Sequence, residues 1–230
     1  MKKKQIIILI IILIVGILGY LYITKEKDTK IDIPKKENIE TPTPTASKKT
    51  EEVIDDNGYG KEIKGPTYIK GILIVNKTYS LPADFASGND PEALEALHQL
   101  QKDAEKAGHS IPLISGYRSH ERQIELYNRY VARDGKDAAD TYSARPGHSE
   151  HETGLTFDIG SVDDNYGETN AGIWLASHCH EYGFILRYPK GKEKITKYQY
   201  EPWHVRYVGK QAATEIYSKN LTLEEYLGIA

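Results

Sequence analysis

The sequence predicts an α+β fold, a small and mainly antiparallel sheet with helices packed against it. Three observations lead there. Runs of apolar, β-branched and aromatic residues at 69–75, 111–114, 155–159, 184–188 and 198–207 have the length of strands. Stretches between them place apolar residues at helical spacing and carry helix caps. The 230 residues suffice for one ordinary domain plus extra segments.

Three lysines, Lys2 to Lys4, precede an uncharged run at 5–24. Twenty residues at about 1.5 Å each give roughly 30 Å, the thickness of a hydrocarbon core. The lysines favour an N-terminus kept inside. No small-residue cleavage site follows, and Tyr20, Tyr22 and Ile23 are bulky, so an uncleaved anchor is expected at 1–24 rather than a signal peptide. That reading places the protein in the cell membrane, single-pass, with its folded part outside the cytoplasm. Residues 25–64 mix charges with scattered apolar groups. With the stiff run Thr41, Pro42, Thr43, Pro44, Thr45 they read as a linker. The folded domain is then 65–230.

Within it, 69–75 reads as a strand. Asp90 and Pro91 suit the N-cap and first position of a helix, and Leu94, Leu97, His98, Leu100 and Gln101 form its inner stripe. Gly108 ends it. A short strand at 111–114 leads to Gly116, and a helix follows from about Ser119. A helix at 171–182 ends at Gly183, a strand spans 184–188, and 190–197 reads as a charged loop. Pro202 restrains Glu201 to an extended conformation, so the last strand runs through His204 to Tyr207. A helix at 210–218 closes the domain.

Composition excludes some functions. The net charge is −3 and there is one cysteine. Without a basic stripe, nucleic acid is not expected as a partner, and Cys179 has no internal partner for a disulfide. Nothing in the sequence fixes an oligomeric state. His178 and His180 flank Cys179, but on a helix positions i and i+2 point about 200° apart, so they cannot converge on a metal.

The chemistry concentrates in two stretches. Ser149, Glu150, His151, Glu152, Thr153, Gly154 and Leu155 run into Thr156, Phe157 and Asp158. A strand's alternation puts Asp158 opposite Leu155, Phe157 and Ile159. Fully extended, His151 and Asp158 would lie about 23 Å apart at roughly 3.3 Å per residue. Gly154 is the bend that can bring them together. Glu201, Pro202, Trp203 and His204 supply a second histidine and another carboxylate. His151, Asp158 and His204 form a two-histidine, one-carboxylate set that suits one catalytic zinc ion, with a position left for water. Glu201 remains to act on that water. His148 is a rival ligand; Glu150 and Glu152 flank His151 and could support it from behind, but read first as exposed acids.

The order Ser-x-His-x-x-Gly-x-Thr-x-Asp followed by Glu-x-Trp-His resembles the VanY-type zinc D-alanyl-D-alanine carboxypeptidases. The branch it resembles most includes bacterial peptidoglycan LD-carboxypeptidases. Ser115 to Ser119 with Gln123, and Leu73 to Lys77 with Leu81 and Pro82, match further segments of that family. One departure is Thr156, where the family usually has alanine, and it implies a packing change. The resemblance implies a Hedgehog/DD-peptidase-like fold, selects His151 over His148, and implies removal of the C-terminal D-alanine from peptidoglycan stem peptides. The tetrapeptide is favoured over the pentapeptide; the alternative of another class is a non-catalytic wall-binding module. It further implies that Arg118 and Gln123 hold the substrate's C-terminal end, arginine's planar fork suiting a carboxylate. Ser149 and, more weakly, Tyr188 would line the substrate pocket.

Overall fold

The computed structural model describes residues 55–60 and 65–230. The anchor expected at 1–24 lies outside them. Among the described residues no helix is long and apolar enough to cross a membrane.

In chain order the elements are β1 (Thr67–Ile69), β2 (Ile72–Ile74), α1 (Pro91–Lys106), β3 (Leu113–Ser115), α2 (His120–Asp134), α3 (Lys136–Tyr142) and β4 (Thr156–Ile159). They continue with α4 (Asn170–His178), β5 (Phe184–Tyr188), α5 (Glu193–Thr196), β6 (Glu201–Tyr207), α6 (Lys210–Ser218) and α7 (Leu223–Leu227). β1 and β2 form a hairpin, and the other four strands form an antiparallel sheet in the order β3-β4-β6-β5. The α+β class with small antiparallel sheets is therefore present.

Several elements differ from the sequence reading in their limits: β3 is Leu113–Ser115 rather than 111–114, β6 begins at Glu201 rather than at 198, and the charged loop expected at 190–197 holds the short helix α5 (Glu193–Thr196). The single strand expected at 69–75 is the turn and second strand of the β1–β2 hairpin. Ile69 pairs with Ile72, and Lys70 (φ 52°) and Gly71 (φ 78°) both take the left-handed conformation between them. A two-residue hairpin turn requires that conformation. Lysine rarely adopts it, so the turn is hidden in the sequence. The helix expected at 171–182 ends at His178 and tightens into a 3-10 turn, Cys179–Tyr182.

Helix α1 starts as its residues dictate. Asp90 accepts from the Ala93 amide and Pro91 fills the first turn. Its buried side is Ala93, Leu97, Leu100 and Ala104; Leu94 is only half-buried and His98 is exposed. That side meets Phe157 and Ile159 of β4, Phe184 of β5, and Trp203 and Val205 of β6 in one core. Burying a side chain such as Leu97 or Phe157 contributes about 1.5–3 kcal/mol. A second cluster joins Ile74 and Ile185 to Ala213, Ile216, Leu223 and Leu227 of the two C-terminal helices.

The alternation of side chains along a strand separates core from chemistry. On β4, Phe157 and Ile159 enter the core while Thr156 and Asp158 take the opposite face. On β6, Trp203 and Val205 enter the core while His204 and Arg206 take the opposite face. The register sets Asp158 against His204 and Thr156 against Arg206.

Residues 55–60 fall within the span read as linker, and they pack against the domain. Tyr59 is buried beneath the Arg145 guanidinium, 3.8 Å from its ring. Asp55 pairs with Arg145 at 2.6 Å, and the Tyr59 and Tyr198 hydroxyls lie 3.2 Å apart.

Candidate metal centre

The turn before β4 folds back as the glycine suggested. Residues Glu150–Thr153 form one 3-10 turn, and Gly154 ends it at φ 71°. The Gly154 carbonyl accepts from the Asp90 amide at 2.9 Å. A Cβ on Gly154 would lie 1.8 Å from the Gly88 carbonyl oxygen, so the backbone approaches too closely for any other residue. This compact turn sets His151 beside Asp158.

Ligand atoms of His151, Asp158 and His204 all lie within 4.8 Å of one another, and all three residues are buried. His151 Nε2 is 3.2 Å from Asp158 Oδ2. Its other nitrogen, Nδ1, is 2.8 Å from the Gly116 carbonyl oxygen. A carbonyl only accepts, so Nδ1 carries the proton and Nε2 presents its lone pair to the site. His204 Nδ1 is 3.3 Å from Asp158 Oδ1 and 3.3 Å from Glu201 Oε2. Asp158 Oδ1 is nonetheless buried without an aligned hydrogen bond. A buried carboxylate oxygen without a partner is costly. The carboxylate faces two imidazole nitrogens, one at each oxygen, and so fits a cation bound among them. Two histidines and a carboxylate are the donor types zinc takes.

Electrostatics agree with this grouping. Burial opposes the charge on Asp158, but positive charge at the nitrogens of His151 and His204 beside it, the place a cation would take, holds its carboxyl far below the usual range. Burial pushes the Glu201 carboxyl up, and Asp158 adds to the push, while His204 and His151 oppose it. A raised carboxylate is closer to neutrality and better matched to taking and returning a proton.

His151, Asp158 and His204 line a cavity of about 380 Å³ together with Arg118, Gln123, Ser149, Tyr188 and Glu201. Arg118 donates to the Gln123 side-chain oxygen at 3.0 Å and to the Ser115 hydroxyl at 3.2 Å. Its guanidinium stands 4.0 Å from Asp158. Burial draws the Arg118 guanidinium down from its ordinary value, with Asp158 opposing. Gln123 also donates to the Ala144 carbonyl oxygen at 2.6 Å. One donor of its amide and its oxygen are thus engaged within the protein, and Gln123 helps to hold Arg118. The Tyr188 ring packs 4.8 Å from the His204 ring and 4.9 Å from Tyr198.

Other histidines separate from the site. His148 Nδ1 meets the Asn76 carbonyl oxygen at 2.8 Å, outside the group. His178 pairs with Glu181, and His180 stacks on Tyr217.

Glu150 and Glu152 correct the sequence reading, since both are buried rather than exposed. Glu152 meets His120 at 2.9 Å and accepts from the Gly147 amide. Glu150 is held by Arg187 at 2.8 Å and Arg206 at 2.9 Å. Those arginines lie 37 and 56 residues away, too far along the chain for local pattern to pair them. Alternation on β6 does offer one signal, since it puts Arg206 on the same face as His204.

The chain matches the family model "VanY: D-alanyl-D-alanine carboxypeptidase" over residues 87–210. A curated relative, the putative carboxypeptidase YodJ of Bacillus subtilis (strain 168), is 40% identical over 180 residues, covering 67% of this chain and 66% of the relative. The chain therefore spans just under two thirds of that relative's length. Among solved structures, the LdcB LD-carboxypeptidase superposes with a TM-score of 0.64 at 51% identity, covering 69% of this chain and 86% of that one. A variant of the vancomycin-resistance D,D-pentapeptidase VanY from a VanB-type cassette was solved in complex with Zn(II). It superposes with a TM-score of 0.61 at 37% identity, covering 67% and 97%.

Proposed function

This chain belongs to the VanY D-alanyl-D-alanine carboxypeptidase family, and on that premise we propose that it is a zinc-dependent peptidoglycan carboxypeptidase. It removes the C-terminal D-alanine of stem peptides and prefers the tetrapeptide. The observation that carries this reading is one cavity holding the three ligand residues, a buried carboxylate beside them and a half-buried arginine.

Zinc held by His151, Asp158 and His204 would supply Lewis-acid activation of water and of the scissile carbonyl. The remaining work falls to the chain's own side chains. Arg118, held by Gln123 and Ser115, pairs with the substrate's terminal carboxylate and orients the last peptide bond. Glu201 takes a proton from the attacking water at its carboxylate and returns it to the departing D-alanine amine. Ser149 and Tyr188 wall the pocket. A non-catalytic wall-binding module would have no use for Glu201 in this position.

The two stem peptides share a D-alanine terminus, so Arg118 and Glu201 serve both. Discrimination falls to the walls, where one misplaced group costs about 1–3 kcal/mol. The likeness to LdcB supports the tetrapeptide. The test compares kcat/KM of the purified protein on tetrapeptide, pentapeptide and C-terminally amidated tetrapeptide. Expected are a higher value on tetrapeptide than pentapeptide, and a loss on the order of 100-fold on amidation, since a charge-assisted pair contributes about 3 kcal/mol. Pentapeptide preference reverses the substrate assignment, and full activity on the amide removes Arg118 from carboxylate recognition.

We further propose that 1–24 anchors the chain with its catalytic domain outside the cytoplasm. Supporting this are the three lysines and the uncharged run after them. Protease added to wall-stripped cells is expected to remove the domain and leave the N-terminal segment in the membrane. A fully protected domain contradicts the topology.

A further inference from the structure

His204 has a second ring nitrogen that the metal centre does not use. Its Nε2 is buried with no hydrogen-bond partner, and Glu150 Oε2 lies 3.7 Å away. That is roughly 0.8 Å longer than a formed N–H···O bond. Thr156 donates its hydroxyl to the same oxygen at 3.3 Å. The other oxygen, Oε1, is taken by Arg187 and Arg206. Both arginines are fully buried. Arg187 in turn grips Glu224 of α7 through both terminal nitrogens. Two arginines and two glutamates thus balance in charge beneath the site.

We propose that Glu150 is a positioning residue for the metal centre: it is the acceptor that holds the proton on His204 Nε2 and so keeps Nδ1 free to bind the ion. This rests on the proposed function. Between two arginines the carboxylate can only accept, so the imidazole nitrogen facing it must donate. The opposite nitrogen then offers its lone pair toward Asp158 and Glu201. An acceptor behind a ligating histidine fixes the ring and raises its basicity, and losing one typically costs about 10–100-fold in metal affinity.

One 3-10 turn would therefore control both histidine ligands. His151 enters directly, with Nδ1 tied to Gly116. Its sequence neighbour Glu150 sets the tautomer of His204, which lies on β6. The clamp of Arg187 and Arg206 leaves Oε2 free for that task, and Thr156 helps to fix its direction. A network that only filled the interior would have no need to aim a carboxylate oxygen at a ligand's unpartnered nitrogen.

Two measurements test this. Zinc affinity, from competition with a chromophoric chelator, is expected to fall 10–100-fold in Glu150→Gln. Because that variant removes a carboxylate charge shared by two buried arginines, its fold is checked by circular dichroism. The second measurement does not depend on it. In the zinc-loaded wild type, imidazole nitrogen NMR should show His204 protonated at Nε2, with that proton shifted downfield and slow to exchange. In Thr156→Val the same resonance should move. Zinc bound equally tightly by wild type and folded Glu150→Gln, or an Nε2 proton exchanging at the solvent rate, overturns the inference. Zinc bound by neither protein instead overturns the proposed function.

Discussion

Glu201→Gln is expected to lower turnover about 10³-fold, within the roughly 10²–10⁴-fold that a general base contributes, while zinc still binds near one equivalent. Glutamine keeps the size of the side chain and removes its ability to take a proton. The residue lies on β6 three positions before His204, with the two side chains 3.3 Å apart, so it would neighbour a bound ion without being needed to hold it. Burial pushes its carboxyl up, so losing the charge costs little there and the fold should persist. Metal analysis alongside a D-alanine release assay checks both halves. Near-normal turnover removes Glu201 from the chemistry. Loss of zinc in the variant makes Glu201 a ligand instead.

Removing the metal is expected to have a larger effect still: turnover falls to background and thermal stability drops. Without a cation, Asp158 Oδ1 remains a buried oxygen with no aligned donor, beside two imidazoles. An ion bound only by the folded state stabilises it by about 2.7 kcal/mol at one hundred times its dissociation constant. The melting temperature should therefore rise with added zinc. Histidine ligands bind metal as neutral imidazoles, so acidification should release the ion.

Much of the site could be read from the chain because its parts are local or periodic. His151, Gly154 and Asp158 sit within eight consecutive positions, and the close backbone approach at Gly154 is what a glycine in such a turn announces. Alternation along β4 correctly put Asp158 opposite Phe157 and Ile159. The cap of α1 was legible for the same reason, with Asp90 and Pro91 adjacent. What stayed hidden depends on distant partners. Glu150 looks like a surface acid until Arg187 and Arg206 are brought to it by β5 and β6. Gln123 gives no sign in the sequence that it donates to the Ala144 carbonyl and accepts from Arg118. Tyr59 looks like part of a tether until Arg145 and Tyr198 cover it. Helix α7 was missed although its box of Thr222 and Glu225 is a local signal, because only five residues follow it.

The most direct test of the central claim is D-alanine release from peptidoglycan tetrapeptide by one protein sample in three states: as purified, stripped by chelator, and stripped then resupplied with one equivalent of zinc. Expected are release, none above background, and release restored, with the chelated protein still folded by circular dichroism. Undiminished release from a sample shown by metal analysis to hold less than about a hundredth of an equivalent would contradict it.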